Sequence, residues 1–211
     1  MSVEEAELAI ACGADAVGLV GRMPSGPGPI PDELIRTIAA TVPPGVSSFL
    51  LTCETSAVEI IAHHRRTCTD IIQLVDTVDV AEYEKIRREL PTVKLIQVIH
   101  VIDATAVEMA SRVQDHVDGL LLDSGRPQEE VKVLGGTGRV HNWNISRKIV
   151  ERSNKPVFLA GGLKPDNVGR AIASVHPFGV DVCTGVRTDG RLDEKKLRAF
   201  MSEVQSADIR D

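Results

Sequence analysis

The sequence predicts an α/β fold of alternating strands and helices, most simply a (β/α)8 TIM barrel. Seven short apolar runs of about five residues recur along the 211-residue chain, rich in valine, isoleucine and leucine. Most do not alternate with polar residues, which is typical of strands covered on both faces and therefore parallel. Amphipathic stretches separate them, so strand and helix repeat about every 25 residues, as in βα units.

Each element has its own signal. Residues 3–11 predict an opening helix that ends at Gly13, a glycine of the kind that follows helix C-termini. The predicted strands cover residues 16–20, 46–51, 71–75, 94–98, 119–123, 157–161 and 179–184. Later helices are predicted from the start signals at Pro31-Asp-Glu, Glu54-Thr-Ser, Asp79, Asn142 and Pro165-Asp-Asn.

The strand count leaves one position of an eight-unit barrel open. A helix that opens a βα series should follow a strand, yet the first predicted element is a helix. We therefore expect residues 1–211 to form a single barrel domain whose first strand is missing from this chain. Two unpaired strand edges should then make the chain unstable, prone to aggregate, or dependent on another chain to cover them. A doubly wound open sheet is the competing architecture.

Composition excludes several classes of protein. A net charge of −6 and a pI near 5.5 argue against nucleic-acid binding, which needs a basic surface. No apolar run approaches the roughly 18 residues of a membrane span, and no signal peptide is evident. Four scattered cysteines without a C-x-x-C pair indicate reduced thiols, neither disulfides nor a zinc site. The sequence thus predicts a cytoplasmic protein without nucleic-acid or membrane partners.

Two glycine-bearing segments predict a phosphate site. Gly161-Gly162 follows the sixth predicted strand and precedes a helix, and Thr184-Gly185 follows the last one. Barrels commonly bind phosphate through the loops of their last two units, where glycines let backbone N–H groups and a helix N-terminus approach the anion. The alternative is a pair of tight turns in which glycine is required only by backbone geometry.

Asp123 is the strongest catalytic candidate. It ends the buried run Gly119–Asp123, at the strand end where barrels carry their active sites. Desolvation there would raise the pKa of the carboxyl group, which suits a general acid. Alternatively, Asp123 caps a loop or pairs with an arginine.

Weaker candidates remain open between two interpretations. Gln73 could face a ligand from within a strand or be a satisfied core glutamine. The glycine-rich segment 135–138, which contains Gly136, could line a ligand with its backbone or be a plain flexible loop. His100 is interpreted as a packed, neutral histidine, and residues 63–66 as the solvated basic end of a helix.

Five motifs in order identify a resemblance. They are Gly13-Ala-Asp-Ala-Val-Gly18, Gly119-Leu-Leu-Leu-Asp123, Gly135-Gly-Thr-Gly138 with Asn142-Trp143, Leu159-Ala-Gly-Gly-Leu163 with Pro165 and Asn167, and Gly179-Val-Asp-Val182 with Gly185-Val186. With this order and spacing, nearly the whole chain resembles the phosphoribosylanthranilate isomerases of tryptophan biosynthesis. The resemblance implies a (β/α)8 barrel that performs an Amadori rearrangement of a small phosphorylated substrate, without cofactor or metal.

The resemblance also assigns roles to residues. Asp123 matches the family's general acid, and Gly161, Gly162, Thr184 and Gly185 match its phosphate loops. The remaining matched positions, which line the substrate pocket, are Gln73, Gly136 and Asp181.

The chain departs from the family pattern in four places. The family's first strand, Lys-Ile-Cys-Gly, carries the base cysteine. That segment has no counterpart here, and Cys12 occupies a later position. Because no other residue holds the base position, we expect the chain as given to lack the isomerase activity. The family's Gln-Leu-His-Gly reads Gln73-Leu-Val-Asp76 in this chain, so its histidine is lost. Gly28-Pro29 stands where the family usually has an arginine, and Arg187 stands where it usually has a glutamate. Two alternatives therefore stay open, a noncatalytic phosphate-binding paralogue and a sugar-phosphate isomerase with another substrate.

Overall fold

A computed structural model of the chain describes residues 1–24, 28–125 and 141–208. Within these ranges eight helices alternate with the strands of a parallel sheet. The helices are α1 (Val3–Ala11), α2 (Asp32–Thr41), α3 (Ala57–Thr67), α4 (Val80–Glu89), α5 (Thr105–Val113), α6 (Trp143–Arg152), α7 (Val168–Val175) and α8 (Glu194–Asp208). The sheet strands are β1 (Ala16–Val20), β2 (Ser47–Thr52), β3 (Ile71–Leu74), β4 (Lys94–His100), β5 (Gly119–Asp123), β6 (Val157–Leu159) and β7 (Gly179–Val180). A short antiparallel pair, β8 (Arg187–Thr188) and β9 (Arg191–Leu192), precedes α8.

The sheet follows chain order from β1 to β7, and every neighbouring pair is parallel. A doubly wound sheet would reverse its order at a switch point, so this order excludes the competing architecture. The sheet curls until residues of β1 and β7 line the same cavity. The prediction of an α/β barrel of seven strands preceded by a helix is thereby confirmed. Among the described residues, β1 and β7 each pair with one neighbouring strand of this sheet.

The apolar side chains form two layers, because side chains of a strand point alternately to its two faces. Outward-facing residues such as Leu95, Leu120 and Leu122 pack beneath the helices in the largest core cluster. Inward-facing Val98 and Leu121 belong to a smaller cluster inside the curled sheet. The side chains at the carboxyl ends of the strands lie next to this inner cluster.

Most helix ends follow their predicted signals. Helix α1 ends before Gly13, which has a φ of +96°, and the side chains of Ser56, Asp79 and Asn142 cap α3, α4 and α6. One predicted start is displaced. Residues 165–167 form a turn, and α7 begins only at Val168, because the Asn167 side chain folds back to close that turn.

Within the described ranges, no helix is both long and apolar enough to span a bilayer.

The prediction of a solvated helix end at residues 63–66 is wrong for its two histidines. His63 and His64 are buried, at 4% and 9% exposure. His63 Nδ1 lies 2.9 Å from Thr52 Oγ1, and His63 Nε2 lies 3.2 Å from Asp32 Oδ1. The imidazole therefore links α3 to β2 and α2, and only Arg65 and Arg66 remain at the surface.

Glu5 joins the first helix to the last part of the fold. Its carboxylate accepts hydrogen bonds from Arg187 Nη1 at 3.0 Å and from the Leu192 amide at 2.8 Å. Burial alone would raise the pKa of Glu5, but these two donors outweigh it and lower the pKa to about 2. The ring of helices is thus held together between α1 and the segment that precedes α8.

We expect Glu5→Gln to destabilise the fold by about 2 kcal/mol at neutral pH, the size of a lost hydrogen bond to a charged group. Because the folded-state pKa is depressed, this contribution is present above about pH 4.5 and is lost as the pH falls towards 2. Urea unfolding at pH 7 and pH 3 would measure it. Glu7→Gln, at an exposed position of the same helix, is the matched control. Equal stability of the two variants at pH 7 would contradict the role of Glu5.

Candidate active site

A cavity of about 610 Å³ runs from the inside of the curled sheet into the gap between β1 and β7, where side chains of α1, α7 and α8 also line it. The predicted site residues line the part of the cavity inside the sheet and after β7. Most of the wall is apolar, with Phe49, Val98 and Leu121 among its side chains. Charged and amide side chains interrupt this wall, namely Asp15, Gln73, Asp123, Asp181 and Arg187. The sequence predicts three of them as site residues: Gln73, Asp123 and Asp181. A largely apolar wall with a few polar groups is typical of a site that binds and orients a small organic molecule.

Asp123 stands at the carboxyl end of β5. Side-chain alternation directs Leu120 and Leu122 to the helices and leaves Asp123 facing inward, where only 8% of the residue is exposed. Its Oδ1 accepts a 2.7 Å hydrogen bond from the Ser124 amide. Burial raises the pKa of Asp123, and the Ser124 hydrogen bond opposes that rise only in part. The site therefore favours the protonated form, which a general acid requires.

Asp181 follows β7 and faces the same cavity. Its amide donates to the Leu159 carbonyl at 2.8 Å, which fixes the backbone beside β6. Asp181 is exposed at the cavity surface, and desolvation by the surrounding protein together with the charge of Asp123 raises its pKa to about 6. Two neighbouring carboxyl groups with separate environments can hold opposite protonation states at neutral pH.

Gln73 lies on the cavity wall from within β3. It is 5% exposed, and its neighbours on the same strand face are Ile71 and Val75. Its place on the cavity wall is compatible with the ligand-facing interpretation, which stays a prediction. His100, in contrast, is the packed histidine that the sequence predicts, with Nε2–H donating to the Val75 carbonyl at 2.9 Å.

Gly161 and Gly162 form a turn after β6 that requires glycine. Their φ angles are +82° and +66°, in the left-handed region that other residues rarely occupy. Asn167 closes the turn, since its Nδ2 donates to the Gly162 carbonyl at 3.0 Å and its Oδ1 accepts from the Lys164 amide at 2.9 Å. The loop leads directly into the N-terminus of α7, where free amides favour an anion.

The segment after β7 packs directly on this turn. Residues Thr184–Val186 form a short 3-10 helix whose Gly185 touches the other loop. A Cβ atom at Gly185 would stand only 1.9 Å from the Leu163 carbonyl oxygen, so no larger residue fits without moving backbone. The two glycine-bearing loops are separated in sequence by the whole of α7 and β7, yet they form one surface beside the cavity.

The predicted site residues thus fall into two neighbouring groups. Gln73, Asp123 and Asp181 share the cavity wall, and the glycines of the two loops meet at the end where β6 and β7 finish. The predicted contribution of Gly136 lies outside the described residues. One nearby residue was not predicted. His141 approaches Asp123 across Gly161, and no spacing or motif in the sequence signals that contact.

The family model and the similar proteins found by comparison all point to one family. Residues 32–203 match the family model described as N-(5'phosphoribosyl)anthranilate (PRA) isomerase. Among the similar proteins, N-(5'-phosphoribosyl)anthranilate isomerase 2 of Methanosarcina mazei is 37% identical over 206 residues, covering 97% of this chain and 90% of that protein. The N-(5'-phosphoribosyl)anthranilate isomerase of Haloferax volcanii is 35% identical, with coverage of 97% and 90%.

Solved structures agree with the sequence relatives. Phosphoribosyl anthranilate isomerase from Thermotoga maritima superposes with a TM-score of 0.83 at 26% identity, covering 98% of this chain and 95% of that one. A second phosphoribosyl anthranilate isomerase, solved with reduced 1-(o-carboxyphenylamino)-1-deoxyribulose 5-phosphate, gives a TM-score of 0.80 at 25% identity, with coverage of 97% and 94%.

Proposed function

The chain belongs to the N-(5'-phosphoribosyl)anthranilate isomerase family. We propose that its cavity catalyses the reaction of that family. The reaction is the Amadori rearrangement of N-(5'-phosphoribosyl)anthranilate to 1-(2-carboxyphenylamino)-1-deoxyribulose 5-phosphate, a step of tryptophan biosynthesis. The observation that carries the proposal is the pair of cavity carboxyl groups, Asp123 and Asp181, whose pKa values are both raised. A cytoplasmic location stays a prediction.

Asp123 acts as the general acid. Its protonated carboxyl group gives a proton to the furanose ring oxygen, and the bond between that oxygen and C1 breaks. The electron pair of the substrate nitrogen then forms a C1–N double bond. Burial supports this role, because it keeps the carboxyl group protonated at a higher pH than an ordinary aspartate.

Asp181 is the group that we assign to the next step, removal of the C2 proton, because the base cysteine of the family pattern has no counterpart in this sequence. This assignment replaces the expectation, drawn from the missing cysteine, that the chain lacks activity. With a pKa of about 6 it is mostly ionised at neutral pH, and it faces the cavity that holds Asp123. Loss of the C2 proton gives an enolamine, which becomes the ketone when C1 gains a proton and the C2 hydroxyl loses one. Proton transfer at two positions thus uses two carboxyl groups of different pKa.

The two glycine-bearing loops hold the phosphate group. Gly161 and Gly162 bring backbone close to the anion, and the N-terminus of α7 adds favourable N–H groups. Gly185 lets the second loop approach the first, so both can contact one phosphate. The anchor lies at the same strand ends as the carboxyl groups, which fixes the sugar between them.

We expect the purified chain to convert synthetic N-(5'-phosphoribosyl)anthranilate, with inorganic phosphate acting as a competitive inhibitor. Loss of anthranilate-type fluorescence would follow turnover, and complementation of a tryptophan auxotroph that lacks this isomerase would test it in cells. Calorimetric titration with reduced 1-(o-carboxyphenylamino)-1-deoxyribulose 5-phosphate would measure binding separately. Tight binding without turnover would overturn the isomerase assignment in favour of a noncatalytic phosphate-binding protein.

A further inference from the structure

His141 lies near Asp123, and both side chains border the space that a Cβ atom at position 161 would fill. Asp123 Oδ1 and His141 Nδ1 each stand 3.0 Å from the point that a Cβ atom of residue 161 would occupy, so the two atoms are at most about 6 Å apart. That span is covered by direct contact after a small side-chain rotation, or by one bridging water. The glycine at this position is what allows the approach.

The hydrogen bond on the far side of the ring fixes the tautomer of His141. Ser146 is fully buried on α6, and its Oγ lies 2.7 Å from His141 Nε2. A buried hydroxyl needs an acceptor, and within the described residues Nε2 is the one within its reach. Ser146 therefore donates to Nε2. Burial lowers the pKa of His141 to about 4, so at neutral pH the ring is uncharged and carries its proton on Nδ1.

The Nδ1–H group is buried and has no hydrogen-bond partner among the described residues. Leaving a buried donor unpaired is costly, and across Gly161 His141 Nδ1 faces a carboxylate oxygen of Asp123. We propose that His141 is a positioning residue for Asp123, donating from Nδ1–H to Oδ1, directly or through one water, and stabilising the carboxylate that remains once the acid has given up its proton. This inference rests on the proposed function, in which Asp123 is the acid.

Two other titratable groups of the described residues face Asp123, and each affects it differently. His100 is its register partner on β4, and a positive charge on that ring lowers the pKa of Asp123. The Nε2–H of His100 is committed to the Val75 carbonyl, and its Nδ1, like that of His141, has no hydrogen-bond partner among the described residues. Asp181 faces it from the end of β7 and, being an anion when ionised, disfavours a second negative charge. His141 approaches from the segment before α6 as a neutral donor, which opposes the effect of burial and keeps the acid able to release its proton.

The proposal is tested on the substrate-free protein by NMR titration of 13C-labelled aspartate carboxyl groups, with the Asp123 signal assigned by its loss in Asp123→Asn. We expect His141→Phe to raise the pKa of Asp123 by about one unit, the effect of losing one hydrogen bond to a carboxylate. Ser146→Ala should shift it in the same direction but less, since the ring then loses its fixed tautomer. His141→Asn keeps a donor near the Nδ1 position and should restore a nearly wild-type pKa.

Turnover gives a second readout. The alkaline limb of the kcat/KM profile, which reports the free enzyme, should move to higher pH in His141→Phe by the same amount as the NMR pKa, and should stay in place in His141→Asn. An Asp123 pKa that is unchanged in both Ser146→Ala and His141→Phe would overturn the proposal. If His141→Phe does not fold, the Ser146→Ala titration decides, and an unchanged Asp123 pKa in that variant would overturn the proposal. Because the titration needs no substrate, absence of turnover would count against the proposed function only.

Discussion

Asp123→Asn should lower kcat by at least about 10², the usual effect of removing a general acid. An amide cannot supply the proton that opens the furanose ring, whereas it keeps the shape of the side chain and can still accept the Ser124 amide hydrogen bond at Oδ1. The fold should tolerate the change. Since burial disfavours the charged carboxyl group, replacing it by a neutral amide should leave the melting temperature at pH 7 unchanged or higher.

Asp118→Asn is the matched control, since it removes a carboxylate just before the same strand. Asp118 Oδ2 accepts from Arg87 Nη2 at 2.6 Å and from the Leu95 amide at 2.8 Å, at the amino end of β5, whereas Asp123 stands at its carboxyl end. Burial would raise the pKa of Asp118, but these donors lower it, so ionisation stabilises the fold. We expect this variant to melt earlier and keep its kcat. A near wild-type kcat for Asp123→Asn would show instead that Asp123 is a structural cap.

Gly185→Ala should separate the two glycine-bearing loops and raise KM for the phosphorylated substrate at least about tenfold, which corresponds to roughly 1.4 kcal/mol of binding. The new methyl group would overlap the Leu163 carbonyl oxygen, 1.9 Å away, and approach Lys164 Cβ at 3.0 Å. Backbone cannot rotate out of the way as a flexible side chain can, so the loop itself must move. Steady-state kinetics, with inorganic phosphate as a competitive inhibitor, would measure the loss.

The control for this variant is Gly169→Ala in α7. There a Cβ atom would meet Glu203 Oε2 at 3.4 Å, an ordinary contact with α8 rather than a clash, and alanine favours the helix. Its KM should stay close to wild type, and its stability should be equal or slightly higher. An unchanged phosphate inhibition constant in Gly185→Ala would mean that the loops do not hold the phosphate together.

The sequence by itself determined the order and type of the elements, because these depend on local patterns. Apolar runs without alternation indicate strands covered on both faces, and Ser56, Asp79 and Asn142 mark helix starts through bonds that span two or three residues. It also placed Asp123 at the end of a buried strand, where side-chain alternation turns a carboxyl group inward. Such features need no knowledge of what lies across the molecule.

Only the tertiary structure decided which distant groups meet. The approach of His141 to Asp123 depends on Gly161, the contact of Gly185 with Leu163 depends on the pairing of β6 with β7, and the burial of His63 depends on Asp32 and β2. The raised pKa of Asp181 likewise requires both enclosure by protein and the nearby charge of Asp123. Burial, clashes and charge interactions depend on distances in space, and residues far apart in a sequence carry no local pattern that records those distances.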